Sequence, residues 1–180
     1  MIMNNLSMHI MDILQNSTRA GAKDITLEVI EDKATDQLTL RFIDNGCGMD
    51  KETAERVVNP FFTTRTTRKV GLGLPLLKQN TERTGGSLTI ESEKGKGTTV
   101  TAIFGLTNID TPPMGDLAGT VVLTASAYPD IHFIFHYKRD DVVDYVFDTD
   151  EVNEALDGVS IQDPEIIGYL KEMVAENIKS

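Results

Sequence analysis

Three runs of the sequence carry side chains whose types and spacing suit chemistry. Asp12 and Asn16 stand four residues apart in a segment of helical periodicity, which sets a carboxylate and an amide on one face. A carboxylate so placed can serve as a general base, and the amide oxygen can serve Mg²⁺, which takes few protein ligands and completes its octahedron with phosphate oxygens and water. Asp44-Asn45-Gly46-Cys47-Gly48 joins a carboxylate to glycines that let the backbone approach a flat ligand closely. An exocyclic amino group, such as adenine offers, would pair with that carboxylate; taken alone, the run reads equally as a calcium loop or an ordinary turn. Gly71-Leu72-Gly73-Leu74-Pro75 puts glycines at an expected helix start, where free backbone donors and the helix dipole favour phosphate.

Regular elements must position these groups. Leu6, Ile10, Ile13, Leu14, Ser17 and Ala20 recur at the spacing of one helical face, and Gly21 supplies a stop. His9, Asp12, Asn16 and Arg19 form a polar stripe beside that face. Ile25, Leu27 and Val29, then Leu38, Leu40 and Phe42, alternate as two half-buried strands of a hairpin. The inward parity 38, 40, 42 next reaches Asp44, so the carboxylate falls on the buried side. Asp50 is expected to cap a short helix through Val58, ended by Pro60, and an irregular loop then runs from Phe61 to Gly73. A helix is expected from Pro75 to Gly85-Gly86, followed by strands Leu88 to Ser92 and Thr98 to Phe104.

Composition divides the chain. Residues 1–106 hold thirteen acidic and thirteen basic side chains, whereas 107–180 hold fifteen acidic and four basic, so the net charge of −11 belongs to the tail. The shift falls beside Pro112-Pro113, and we read a boundary there: 1–108 as one domain and 109–180 as an acidic extension serving as a docking or dimerisation unit. The acidity argues against a nucleic-acid partner. The opening residues fit neither a signal peptide nor a membrane span, which gives a cytoplasmic expectation, and the single cysteine, Cys47, excludes an internal disulfide. The tail reads as strands Thr120 to Ala127, Ile131 to Lys138 and Val142 to Phe147. Two helices close it, one after Asp148 with Glu151 as capping-box partner, the other from Pro164 with Ile166, Ile167, Leu170, Val174 and Ile178 on its apolar face. His132 and His136 share a strand face about 13 Å apart at ~3.3 Å per residue, too far to chelate one metal.

In this order and spacing, the runs resemble the superfamily shared by histidine kinases, type II topoisomerases, mismatch-repair ATPases and certain chaperones, the Bergerat fold. Asp12 to Asn16 resembles its asparagine box, Asp44 to Gly48 its aspartate-glycine box, Phe61-Phe62-Thr63-Thr64-Arg65 its phenylalanine box, Val70 to Leu74 its second glycine box and Gly97-Thr98-Thr99 its last box. The resemblance covers about residues 5 to 106. It implies a two-layer α/β (α+β) sandwich, a mixed and largely antiparallel sheet covered by helices, to which the tail adds a small βββαα extension.

The resemblance also implies ATP and Mg²⁺ as ligands. Asn16 would hold the metal, Asp44 the adenine amino group and Thr98 the adenine end. Gly71 and Gly73 would shape the phosphate pocket, Arg19 and Arg65 would meet phosphate oxygens, and Gly46, Gly48, Phe62, Thr63 and Leu72 belong to the same nucleotide site. Thr63 to Val70 looks like a short lid. Asp12, the implied catalytic base, stands where the ATPases and serine-directed kinases of the superfamily usually have glutamate. No helical hairpin with a phosphoacceptor histidine precedes the domain in this sequence, so the expectation is a stand-alone protein whose closest spelling, FFTTR and GLGL, is that of histidine kinases. Three activities fit: transfer of the γ-phosphoryl to a partner protein, an ATP-hydrolysing switch, and a nucleotide sensor without turnover.

Overall fold

The computed structural model describes residues 5–59 and 69–179. Helix α1 (Leu6–Arg19) buries Leu6, Ile10, Ile13, Leu14 and Ser17, the face its periodicity marks. Its first backbone donors have partners far along the chain: Leu6 N–H donates to the Pro113 carbonyl at 2.8 Å and Ser7 N–H to that of Met114 at 2.9 Å. Met8 N–H donates to the Asn5 side chain, the helix N-cap, at 2.9 Å. Left unpaired, such donors would burden the helix start.

Strands β1 (Asp24–Asp32) and β2 (Gln37–Asp44) form the expected hairpin, with β2 burying Leu38, Leu40 and Phe42. Asp50 caps α2 (Lys51–Arg56) by accepting from Thr53 N–H at 2.7 Å. Helix α3 spans Lys69–Arg83, so residues 69–73, expected in a loop, are helical, and Pro75 lies inside the helix and not at its start. The position that forfeits its backbone bond to proline faces Gly71, four residues earlier, and the helix continues through it. Strands β3 (Ser87–Glu93) and β4 (Gly97–Gly105) pair antiparallel, and β4 pairs with β2.

The tail departs from expectation in one element. Residues 117–127 form a helix, α4 (Leu117–Ala127), where a strand was expected from Thr120 to Ala127. Asp116 caps it by accepting from Gly119 N–H at 2.9 Å, and Leu117, Ala118, Val121, Val122, Thr124 and Ala125 are buried. Strand β5 (His132–Arg139) lies parallel to β1, and β6 (Val143–Asp148) is antiparallel to β5. Helices α5 (Thr149–Leu156) and α6 (Pro164–Lys179) follow as expected, although Asp148 caps α5 by accepting from Asp150 N–H and not through a Glu151 box.

The result is one mixed six-stranded sheet, ordered β3-β4-β2-β1-β5-β6, with helices packed around it. Phe133, Phe135 and Phe147 from the tail share a core with Ile25, Leu27, Phe42 and Phe104. The opposite side of β5 and β6 carries polar pairs. His132 Nε2 lies 2.8 Å from an Asp148 oxygen, and His136 Nε2 lies 2.6 Å from one of Asp144.

Candidate functional site

The apolar inner face of the sheet ends in a polar row. Asp44 follows Phe42 by two residues in β2, Thr98 is its register partner in β4, and Ser92 in β3 is the register partner of Thr98. Asp44 and Thr98 keep the parity of the buried positions in β2 and β4, and Ser92 that of the half-buried positions in β3. A cavity of about 380 Å³ opens at this end, lined by Asn16, Ser17, Arg19, Phe42, Asp44, Cys47, Gly48, Met49, Leu74, Thr98 and Val100 among others, a size within the range of small-molecule sites. Apolar walls from Ile13, Phe42, Leu74 and Val100 with a few polar groups at one end suit a flat heterocycle.

Asp44 is held firmly. Its Oδ2 accepts from the Ser17 hydroxyl at 2.6 Å and its Oδ1 from Gly46 N–H at 2.9 Å. Each carboxylate oxygen keeps further lone pairs for a ligand. Ser17 directly follows Asn16 on α1, so one peptide links the Asp44 partner to the amide at the cavity rim. The glycines of this loop are required by protein packing: a Cβ at Gly48, whose φ is +68°, would lie 2.1 Å from the Glu93 carbonyl oxygen, and one at Gly46 would lie 2.8 Å from Ala20 Cβ.

On α1, Asn16 and Arg19 both line the cavity, and Arg19 Nη1 donates to Asn16 Oδ1 at 3.3 Å. Asp12, one turn earlier, lies outside the cavity lining and packs against α3, where an ideal Cβ on Gly73 would come within 1.6 Å of its Oδ2. That oxygen is buried and has no hydrogen-bond partner among the described residues. Burial pushes the Asp12 carboxyl above its ordinary range, with the positive charge of Arg19 opposing the shift.

His9 was expected on the polar helix face, yet it is 1% exposed. Its Nε2 lies 2.7 Å from Asn80 Nδ2 on α3, and its Nδ1 has no partner among the described residues. Burial pulls the imidazole down to about 4, so it is neutral at physiological pH.

Of the residues singled out in the sequence, the fold gathers Asn16, Arg19, Asp44, Gly48 and Thr98 at one cavity, with Gly46 bonded beside them. Gly71, Leu72 and Gly73 lie in α3. Phe62, Thr63 and Arg65 fall outside the described residues, as does most of the expected lid. Ser17 and Ser92 were missed. Ser92 had a legible signal, since a hairpin around Lys94 to Gly97 sets positions 92 and 98 opposite one another.

Residues 2–108 match the family of histidine kinase-, DNA gyrase B- and HSP90-like ATPases, and the chain belongs to that family. It therefore carries an ATP-binding domain of the kind found in histidine kinases. The sensor histidine kinase YvrG of Bacillus subtilis is 29% identical over 97 residues, 52% of this chain and 17% of that protein. The sensor protein kinase FleS of Pseudomonas aeruginosa is 37% identical over 97 residues, 54% of this chain and 24% of that protein. The matched stretch is thus under a quarter of either relative's length. The Aquifex aeolicus MutL ATPase domain complexed with ADP superposes with a TM-score of 0.50 at 16% identity, covering 79% of this chain and 64% of that one, a likeness of fold.

Proposed function

We propose that the protein binds Mg-ATP in the cavity between α1, α3 and the β2–β4 end of the sheet, and transfers the γ-phosphoryl group to a partner protein. The observation that carries the reading is the Asp44–Thr98 pair, an inward carboxylate and a hydroxyl in register at the end of an apolar slot that Asn16 and Arg19 border. Asp44 accepts from the adenine amino group while Ser17 and Gly46 N–H hold its orientation. Arg19, exposed at the rim, meets phosphate oxygens.

Asn16 fits Mg²⁺ by its chemistry: a neutral amide oxygen at the cavity rim suits an ion that brings most of its ligands as water and phosphate. Bound there, the metal neutralises phosphate charge. Asp12 takes the proton from the attacking group, its burial giving it a higher proton affinity than an ordinary carboxylate.

The raised Asp12 carboxyl also favours a second reading, ATP hydrolysis that drives a conformational switch, because water and serine hydroxyls gain from a base whereas a neutral histidine attacks unaided. The acidic tail, whose helices expose Glu151, Glu154, Glu165, Glu172 and Glu176, mediates contact with the partner or with a second copy of the chain. Among the described residues no helix is long and apolar enough to cross a membrane. The reading places the protein in the cytoplasm.

Incubation with γ-labelled ATP in cell extract, followed by acid and alkali treatment of the labelled proteins, separates the readings. An acid-labile, alkali-stable label means histidine transfer, the reverse means a hydroxyl acceptor, and free phosphate without protein label means hydrolysis. No labelled product of any kind would defeat the catalytic proposal.

A further inference from the structure

We propose that Ser92 determines base specificity from behind the cavity wall, by fixing the direction of the Thr98 hydroxyl hydrogen. The inference rests on the reading of the cavity as an adenine site. Ser92 does not line the cavity; it acts through Thr98, which does.

The argument is a count of hydrogens. Ser92 Oγ lies 3.0 Å from the Gly97 carbonyl oxygen, which only accepts, and 2.8 Å from Met49 N, which only donates. Its third neighbour is Thr98 Oγ1 at 2.8 Å, where either oxygen can donate. A serine hydroxyl owns one hydrogen and two lone pairs. All three contacts are satisfied by one assignment: Ser92 donates to Gly97, accepts from Met49, and accepts from Thr98. Turning the Ser92 hydrogen toward Thr98 instead leaves its oxygen facing the Gly97 carbonyl with no hydrogen between them.

Thr98 then spends its hydrogen on Ser92 and shows only lone pairs to the cavity. Asp44, across the β2–β4 register, also shows only lone pairs, because Ser17 and Gly46 N–H donate to it. The polar end of the slot is therefore an acceptor-only wall. An exocyclic amino group, with two hydrogens, matches it. A purine that carries a carbonyl oxygen in place of the amino group, as hypoxanthine does, sets an acceptor against two acceptors.

Without Ser92, the Thr98 hydroxyl is free to rotate and donate to that carbonyl oxygen. Binding of Mg-ATP and of Mg-ITP, whose hypoxanthine base carries a carbonyl oxygen in place of the amino group, is titrated against the full chain. Wild type should favour ATP by at least about tenfold. Ser92→Ala should cut that ratio to a few-fold, mainly by gain toward the analogue, and Ser92→Thr, which restores the hydroxyl, should recover it. Thr98→Val, measured in parallel, covers the case of a Ser92→Ala protein that does not fold, and should also reduce the ratio. A folded Ser92→Ala protein with the wild-type ratio overturns the Ser92 role and leaves the ATP reading standing, as does a Thr98→Val protein that keeps the ratio. Wild type that binds neither nucleotide overturns the ATP reading, and this inference with it.

Discussion

Oδ2 of Asp12 fills the space that any side chain at position 73 would need, lying 1.6 Å from where a Cβ on Gly73 would stand. The carboxylate on α1 and the glycine on α3 share one packing site. Gly73→Ala should therefore cost about 1–3 kcal/mol, the range for overpacking. The penalty should fall sharply in an Asp12→Ala background, because the clashing group is gone. Chemical denaturation of the two single variants and the double variant gives the coupling. Additive losses would show that the two positions do not compete for space.

The same carboxylate divides binding from turnover. Asp12→Asn should retain ATP affinity while phosphate release or transfer falls ~10²–10⁴-fold, the usual worth of a general base. Asn16→Ala should weaken magnesium-dependent binding itself. Turnover that survives Asp12→Asn within a few-fold removes the base role and favours a histidine acceptor.

Asp44 is tested by melting temperature, which a ligand raises when it binds only the folded state. Mg-ATP should raise it more than Mg-GTP, since guanine sets a carbonyl oxygen where adenine carries its amino group. Asp44→Ala should abolish the ATP shift. Equal shifts with both nucleotides would sink the assignment.

Two histidines should report opposite pH signs. Burial of His9 pulls its pKa from 6.5 to about 4, so the folded state resists its protonation. Its contribution is complete above pH 6.5 and drains as pH falls toward 4, up to about 3 kcal/mol. For His132 burial acts downward, but the bond and charge of Asp148 and the charges of Asp150 and Asp24 outweigh it, and its pKa is raised. That contribution is full below the unfolded value of 6.5 and is lost as pH rises through the folded one. The chain has three histidines, so an NMR titration resolves each imidazole. A His9 ring that titrates near 6.5 would contradict its burial against Asn80.

What the sequence made legible follows the range of the signals. α1 and the β1–β2 hairpin announced themselves through local periods, and strand parity alone turned Asp44 inward. α4 hid because it is covered nearly all round, leaving no polar stripe, and Thr120, Val121, Val122 and Thr124 imitate a strand. Asp116, three residues before Gly119, was its one readable mark. Pro75 drew the expected start of α3 to itself, although the helix already includes Lys69. The Ser17–Asp44 bond spans 27 residues, and β5 finds β1 at a separation of more than a hundred. Neither pairing leaves a trace in local spacing.

That long-range pairing bears on whether residues 1–108 can stand alone. The family match ends at residue 108, and the charge shift invites a cut there, yet three kinds of contact cross it. β5 covers the full edge of β1 from Asp24 to Glu31, so a truncated chain would expose a row of unpaired strand groups. Leu117, Val121, Val122, Phe133, Phe135 and Phe147 leave the core, and Ile25, Leu27 and Val29, each now at most 1% exposed, lose part of their cover. Large apolar side chains are worth about 1.5–3 kcal/mol each when fully buried, and six of them match a whole domain's stability of about 5–15 kcal/mol. The cut also removes the Pro113 and Met114 carbonyls that receive the first donors of α1, the helix that carries Asp12, Asn16 and Ser17. We therefore expect the 1–108 chain to be insoluble or to lack a cooperative melt, and to give no ATP-dependent stabilisation. A chain ending at residue 148 keeps β5, β6 and α4 while losing α5 and α6, and should fold with reduced stability, because it gives up the buried Ile161 and, from α6, Leu170 and Val174. Cooperative unfolding and ATP binding by 1–108 at wild-type levels would show that the tail is an appendage and that its acidic surface can be studied as a separate docking unit.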